Sequence, residues 1–403
     1  MCPTITEPIQ DVAVTFLLNE YIRGSQFAYL PDVYSNIETT GVLSSTIKAA
    51  GLASLSLSRR QPALLDKALK FYAEAITDVN NALQSQEAAQ GDDVLASIML
   101  LSFYEALTLR KPNSPKAWST HVHGALSLVA LRGRKQFQSK IGLEIFKQVA
   151  NSIKLFCIQN HTRVPSQLCE MLDFIACNTE THDIAFTRPS VTEAFADLRA
   201  DIAEGIVSEP EDIIAKCDIM LQVVDDSLLS LPPSHRYDHM VESNPSISGH
   251  RKFHLQFGDH HIAQMWNTAW MARITLNLMI YEQDLIVSKI QHPSDTILAP
   301  NETRRALRAR KEVMDATEHI CATIPELFRW VPQQVSVSTG YSLIWPLFAA
   351  GANPLVSPSI RDFAITQLKH IASEFRLPQA QWAGNMLVAG TSTEKWMHIY
   401  HVF

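Results

Sequence analysis

The chain has 403 residues, of which 46% are hydrophobic and 19% are charged, and its net charge is −7. This apolar fraction excludes a disordered chain, 14 glycines are too few for a fibrous protein, and the acidic balance argues against binding nucleic acid over the whole surface. Six cysteines are too sparse for a disulfide scaffold and indicate a reducing compartment. We therefore expect a cytoplasmic protein, with a nuclear location as the alternative.

No segment is typical of a secretion signal or a membrane anchor. The apolar residues 13–18 follow the acidic Glu7 and Asp11, where a signal peptide would be basic. The strongest apolar run, residues 343–352, is much shorter than the roughly 20 residues that a membrane helix needs. We expect no membrane contact.

Helical periodicity from end to end predicts an all-α protein, a single large multi-helix body of about 12–16 helices with no significant sheet. Between residues 64 and 83, apolar side chains recur every three or four positions, which predicts an amphipathic helix. A second helix at 94–109 is apolar enough to be buried on most sides. Further helices are predicted at about 116–131, 139–157, 189–205, 210–230, 258–289, 302–322, 335–350, 357–375 and 378–390.

We expect residues 1–403 to form one domain, because the helices along the whole chain have wide apolar faces that need partners. The longest irregular stretch is 231–257, and a loop of that length is typical of a linker or a binding segment. It would join two lobes, 1–230 and 258–403. No repeat of fixed period is present, which argues against a standard α-solenoid.

Residues 68–133 carry an ordered set of short motifs. They include Ala68-Leu69-x-x-Tyr72, Leu100-Leu101-x-x-Tyr104-Glu105, Trp118-x-x-His121-x-x-Gly124-Ala125 and Leu131-Arg132-Gly133. This order resembles the fungal-specific transcription factor domain, the helical region of zinc binuclear-cluster regulators. Trp266-Asn267 and Trp345-Pro346 resemble later segments of that domain, so that the resemblance extends over about residues 12–385. It implies a helical fold and a role in regulating transcription.

The chain departs from that family in two ways. A zinc binuclear cluster needs six closely spaced cysteines, whereas those of this chain stand far apart and form no Cys-x-x-Cys. The helical region starts almost at Met1, so we expect no DNA-binding module. Ala269-Trp270 also replaces a polar pair that is frequent in the family. This change indicates either a pocket for a hydrophobic ligand or a neutral substitution within a core.

The strong catalytic and cofactor motifs are absent, including the glycine-rich nucleotide loops, His-Glu-x-x-His and Gly-x-Ser-x-Gly. We therefore predict no cofactor. His250, His254, His260 and His261 are close in sequence, but they have Asp259 as their single acidic companion, so we interpret them as surface histidines and predict no metal.

Three polar residues are candidate catalytic groups, namely Glu105, His121 and Arg273. Glu105 stands in an apolar helix and needs a partner, for which an Arg or a helix N-terminus is the structural alternative to a general acid. His121 is equally compatible with a packing role. The basic run Arg304-Arg305-x-x-Arg308-x-Arg310-Lys311 indicates a solvated helix face, a nuclear-import signal or a surface for an acidic partner.

Aromatic residues are frequent in the second half of the chain, and Trp266, Trp270, Tyr341 and Trp345 are the candidate substrate-binding residues. Such residues are usually core, but they also line apolar pockets between helices. We predict an enclosed, mostly apolar pocket bordered by the helices at 258–289 and 335–350.

Three functions are compatible with these patterns. The first is a cofactor-independent enzyme of fungal secondary metabolism, which holds a hydrophobic natural-product intermediate for cyclisation or a hetero-Diels–Alder-type cycloaddition (a pericyclase). The alternative is a transcriptional regulator or ligand-sensing co-regulator without its own DNA-binding module, and the third is a scaffold. The expected partner is a hydrophobic small molecule, without direct nucleic-acid contact, and a homodimer is possible.

Overall fold

The computed structural model describes residues 8–35, 41–108, 115–178, 190–241, 253–291, 302–329 and 336–390. In its first half the α-helices are α1 (Ile9–Leu17), α2 (Leu30–Ser35), α3 (Val42–Arg59), α4 (Ala63–Ala82), α5 (Gln86–Ala89), α6 (Asp92–Thr108), α7 (Pro115–Arg132), α8 (Lys140–Asn160), α9 (Ser166–Asn178), α10 (Val191–Ala203) and α11 (Pro210–Leu229). A π-helical turn, Leu18–Ile22, continues α1.

The second half contains two short strands and the remaining helices. These are β1 (Tyr237–Val241), β2 (Phe253–Phe257), α12 (His260–Gln291), α13 (Arg304–Arg329), α14 (Val337–Ser342), α15 (Ile344–Ala352), α16 (Pro358–Glu374) and α17 (Pro378–Ala389). Since helices dominate and the sheet has two strands among the described residues, the predicted all-α class is confirmed.

The described parts of the segment 231–257 differ from the irregular loop predicted there, and residues 242–252 lie outside the described residues. Strands β1 and β2 pair antiparallel, with Tyr237 opposite Phe257 and Val241 opposite Phe253. The sequence pattern does not predict these strands, because each has five residues and β1 mixes Tyr237 with polar neighbours. Tyr237 and Phe257 pack on α12, a contact between parts of the chain that local periodicity does not report.

The helix predicted at 335–350 is two helices, α14 and α15, which meet at Leu343. Pro346 lies in the first turn of α15, where its missing N–H costs no hydrogen bond, whereas it would break the middle of one long helix. The proline therefore sets this boundary.

Helix α3 is absent from the predicted set because serine, alanine and glycine blur its apolar stripe. It is buried along most of its length, and its Ser54 hydroxyl donates to the carbonyl of Ala50 at 2.7 Å. Hydrogen bonds of this kind satisfy a buried hydroxyl within its own helix. Thus α3 is a core helix made of small residues.

The main core runs through both halves of the chain. Helix α6 contributes buried residues from all around its circumference, as predicted, among them Leu100 and Phe103. The same cluster includes Leu17 of α1, Trp270 of α12 and Phe348 of α15. A continuous apolar core therefore positions the side chains discussed below.

Candidate functional site

The seven predicted site residues fall into separate places. Glu105 and His121 lie together on α6 and α7, whereas Trp266, Trp270 and Arg273 follow one another along α12. Tyr341 and Trp345 stand on α14 and α15. We describe these groups in turn.

The Glu105 cluster consists of Tyr72, Tyr104, Glu105 and His121. The Tyr72 hydroxyl donates to Glu105 Oε1 at 2.5 Å, and His121 Nε2 lies 2.9 Å from the same oxygen. Because a carboxylate only accepts hydrogen bonds, this geometry places the proton of the imidazole on Nε2. The rings of Tyr72 and Tyr104 stack with centroids 4.5 Å apart. Three helices, α4, α6 and α7, are thereby joined through one carboxylate.

The partners of Glu105 differ from those predicted. An Arg or a helix N-terminus was expected, but the donors are a tyrosine and a histidine. Glu105 Oε2 is buried and receives no hydrogen bond in the described part of the chain. Burial raises the pKa of the Tyr72 hydroxyl, and its hydrogen bond to the Glu105 carboxylate raises it further. Tyr72 therefore stays a neutral donor at physiological pH.

Tyr72 contacts Glu105 but is not among the predicted site residues. It lies on the apolar stripe of α4, where an aromatic residue is usually core, and it meets Glu105 from 33 positions away. Its hydroxyl gives no sequence signal. Only the packing of α4 on α6 reveals the contact.

A second group, the hairpin aromatic cluster, comprises Tyr237, Trp266, Trp270, His239 and His319. Tyr237 of β1 meets Trp266 edge-on at 4.6 Å, and Trp270 stacks on His319 of α13 at 5.2 Å. The rings of Trp266 and Trp270 are 5.5 Å apart. Aromatic pairs in such arrangements add to the stability that burial gives. The cluster fastens the strand pair to α12 and α13.

The indole of Trp266 has a polar anchor as well. Its Nε1 donates to the carbonyl of His235 at 2.8 Å, just before β1. Ala269 and Trp270 are both buried, so the apolar pair that replaces the family's polar residues lies inside the core. These contacts fit packing, and the ligand role of Trp266 and Trp270 stays a prediction.

Arg273 joins three helices by ion pairs and does not belong to the Glu105 cluster. Its guanidinium binds Asp225 of α11 and lies 3.5 Å from Glu312 of α13. An arginine held between two carboxylates from neighbouring helices fixes their relative position. The structure thus brings Glu105 and His121 together and gives Arg273 other partners.

Tyr341 and Trp345 occupy the core next to α12. Tyr341 is fully buried, and Trp345 is half-buried and stacks on Phe348 with centroids 5.8 Å apart. Near them, Ser342 Oγ lies 3.2 Å from His260 Nε2. Burial lowers the pKa of His260 to about 4, and the neighbouring His261 lowers it further. His260 is therefore neutral at physiological pH.

The histidine stretch yields no metal centre in the described part of the chain. Nowhere in the described ranges do three or more His, Cys, Asp or Glu side chains come together as metal ligands would. His250 lies outside the described residues, His254 is buried, and His261 is exposed. His254 thus differs from the surface histidine that was predicted.

Within the described ranges, no helix combines the length and the apolar character that crossing a bilayer requires.

The comparisons with known proteins concern mainly the first half of the chain. Residues 38–186 match the family described as fungal specific transcription factor domain. A protein of Emericella nidulans described as uncharacterized is 33% identical over 76 residues, which are 19% of this chain and 16% of that protein. No solved structure matches significantly.

The matched range holds α3 to α9 and the Glu105 cluster, and the wider resemblance over about 12–385 stays a prediction outside it. The match covers less than half of the chain. Residues 38–186 therefore carry the fungal specific transcription factor domain pattern, and the resemblance seen in the motifs is confirmed for this range.

Proposed function

We propose that the chain is the helical regulatory body of a fungal transcription-factor-type protein, a regulator or ligand-sensing co-regulator that reaches DNA through a partner. The observation that carries this proposal is the match of residues 38–186 to the fungal specific transcription factor domain. It replaces the enzyme as the preferred function, since that match is to a regulatory family.

Charge and cysteine spacing support contact with DNA through a partner. The net charge of −7 opposes binding to phosphates, and the six cysteines of this chain lack the spacing of a zinc cluster. A protein that brings its own DNA-binding module would supply the missing contact. Such a role places the protein in the nucleus, the alternative location.

Ligand sensing is the finer part of the proposal. Its support is the density of aromatic side chains where α12 meets the strand pair and α15, including Trp266, Trp270 and Trp345. An apolar pocket among these helices would take a hydrophobic small molecule. Enhanced fluorescence of anilinonaphthalene sulfonate on the native protein, weaker in Trp266→Ala, tests the pocket, and unchanged fluorescence in that variant contradicts it.

A tethering experiment tests the regulatory role. The chain is fused to an unrelated bacterial DNA-binding domain in a filamentous fungus, and transcription of a reporter with the matching site is measured. The fusion should change transcription several-fold relative to the DNA-binding domain alone. Ala50→Asp, which buries a charge in the core, should abolish the effect, and the exposed Lys67→Glu should keep it. A folded, expressed fusion without effect contradicts the proposal.

The enzyme remains a second candidate because of one observation, the contact between Glu105 and His121. A carboxylate that orients an imidazole is a recurring device of acid–base catalysis. Purified protein incubated with intermediates made by neighbouring biosynthetic genes should then yield a cyclised product, and Glu105→Gln should slow its formation. Equal product in reactions with and without protein excludes this function.

A further inference from the structure

One face of α13 carries an exposed positive stripe, which we call the α13 basic stripe: Arg304, Leu307, Arg308 and Lys311. All four side chains are exposed. Residues three and four apart share a helix face, so these four lie side by side over the first two turns. The buried face of the helix, with Ala309 on it, points the other way.

The arginines of this run divide into two kinds. Arg305 lies 2.7 Å from Glu211 of α11, and Arg310 lies 3.1 Å from Glu302. Arg305 thus joins α13 to α11, and Arg310 joins α13 to the segment just before it. In contrast, Arg304, Arg308 and Lys311 form no ion pair with any residue in the described ranges, so they do not hold the described elements together.

The positive charges of the stripe begin at the N-terminal end of α13, where the helix dipole is itself positive. The first turn of α13 contains no acidic residue, although the positive end of the helix dipole favours one there. Arg304 and Arg308 are also like charges at i and i+4, which repel one another by about 0.2–0.5 kcal/mol. The helix dipole therefore does not stabilise Arg304 at this end, and the charges of the stripe are available to a partner.

Leu307 gives the stripe an apolar edge. Its side chain is 50% exposed and lies beside Arg304 and Lys311, which are three and four residues away on the same face. A leucine flanked by cations is complementary to a segment with an apolar residue flanked by carboxylates. It contributes little to binding a phosphate backbone, which has no apolar side chain to offer.

We propose that the α13 basic stripe binds an acidic, partly apolar segment of a partner protein. The three cations attract carboxylates, and Leu307 packs against an apolar side chain of the segment. The exposed Leu307 favours this occupant over nucleic acid, because a phosphate backbone offers it no apolar side chain, and three cations suffice for a short acidic segment. The inference stands on α13 alone and goes beyond the proposed regulatory role.

The probe is a fluorescein-labelled synthetic amphipathic peptide with Glu and Asp on one face and Leu on the other, titrated with the full chain at low salt. Its anisotropy should rise saturably, and raised salt should weaken binding because the charges are exposed. The triple variant Arg304→Glu, Arg308→Glu, Lys311→Glu should bind at least about tenfold more weakly. Glutamates at a helix N-terminus are favourable, so this variant should fold.

Two further variants sharpen the test. Leu307→Ala should weaken binding of the peptide about threefold or more while leaving the salt dependence unchanged. The matched control, Lys67→Glu with Lys70→Glu on exposed positions of α4 beside the exposed Leu69, should bind as the wild type does.

The proposal is overturned if the peptide does not bind, or if the α13 triple variant and the α4 control bind it equally. Tighter binding of a short DNA duplex, or of anionic phosphatidylserine vesicles, than of the peptide would also overturn it in favour of those partners. The reporter assay of the proposed function does not depend on this peptide, so the two can fail separately.

Discussion

The Glu105 carboxylate shows how a single side chain is accommodated in this helical body. Its Oε1 accepts from Tyr72 and pairs with His121, while its Oε2 receives no hydrogen bond in the described ranges. A buried charge is tolerated only where donors compensate for the water it has lost. The cluster therefore joins three helices through one carboxylate.

Replacing Glu105 with Gln should lower the free energy of unfolding by about 1–3 kcal/mol, because the charged partner of His121 is lost and the amide cannot accept as strongly. Urea unfolding followed by circular dichroism measures this. Glu74→Gln on the exposed face of α4 is the control and should change stability by less than about 0.5 kcal/mol. Equal effects would show that the Glu105 contacts carry no special stability.

The lowered pKa of His260 predicts that the stability of the folded chain decreases at acid pH. Its folded pKa of about 4 lies below the ordinary value of 6.5, so the unfolded chain takes up the proton first. The stability that His260 contributes is present above pH 6.5 and is lost as the pH falls toward about 4. In thermal unfolding, His260→Asn should flatten this decline, whereas His261→Asn on an exposed position should keep most of it. Parallel pH profiles for wild type and His260→Asn would contradict the assignment.

At the scale of elements, the local sequence specifies most helices but few of their junctions. Amphipathic helices such as α4 follow from periodicity, because one apolar stripe faces one neighbour. Helix α3 and the strand pair cannot be predicted from periodicity, because their burial depends on elements that are distant in sequence. The split at Leu343 is explained by Pro346. A proline breaks the middle of a long helix but is tolerated in the first turn of a helix, and the local sequence pattern does not decide between the two.

The same distinction applies to the candidate site. Glu105 was singled out because an acid in an apolar helix demands a partner, but that partner, Tyr72, carries no signal of its own. Arg273 is a candidate catalytic group in the sequence, and its carboxylate partners on α11 and α13 appear only once the three helices are assembled. Residue chemistry can be predicted from sequence, whereas pairing depends on tertiary packing.

Gly51 lies at a close approach between α3 and α1. A Cβ atom there would lie 2.7 Å from the carbonyl oxygen of Ala13 in α1, which is too close to be accommodated without moving the backbone. Gly51→Ala should therefore destabilise the protein by about 1–3 kcal/mol through overpacking. In the half-buried Gly124 of α7, a Cβ would meet nothing within 4 Å.

Gly124→Ala should consequently stabilise its helix by about 0.5–1 kcal/mol, since alanine loses less backbone entropy than glycine on folding. Thermal unfolding of the two variants side by side measures both effects. A stabilised Gly51→Ala would show that α1 packs on α3 less closely than the structure describes.

At the scale of the whole molecule, contacts between distant parts of the chain favour one cooperative body. Gln379 of α17 donates to the carbonyl of Ala106 in α6 at 2.7 Å, and Ser338 of α14 donates to that of Arg23 at 2.7 Å. A continuous apolar core accompanies these bonds. The division into lobes 1–230 and 258–403 thus stays a prediction about shape.

The chain should unfold in a single transition, because neither half can bury its share of the core alone. Urea unfolding followed by tryptophan fluorescence, which reports mainly the second half, should coincide with circular dichroism, which reports all helices. Gln379→Ala, which removes a bond between the halves, should shift both curves together. Two separate midpoints would instead indicate two domains.

The regulatory role is tested most directly by transcript levels after deletion of the gene in the organism that encodes it. A regulator predicts that transcripts of a defined gene set change several-fold and recover when the wild-type gene returns. Unchanged transcripts, together with accumulation of an uncyclised biosynthetic intermediate, would contradict the regulatory account and establish the enzyme instead.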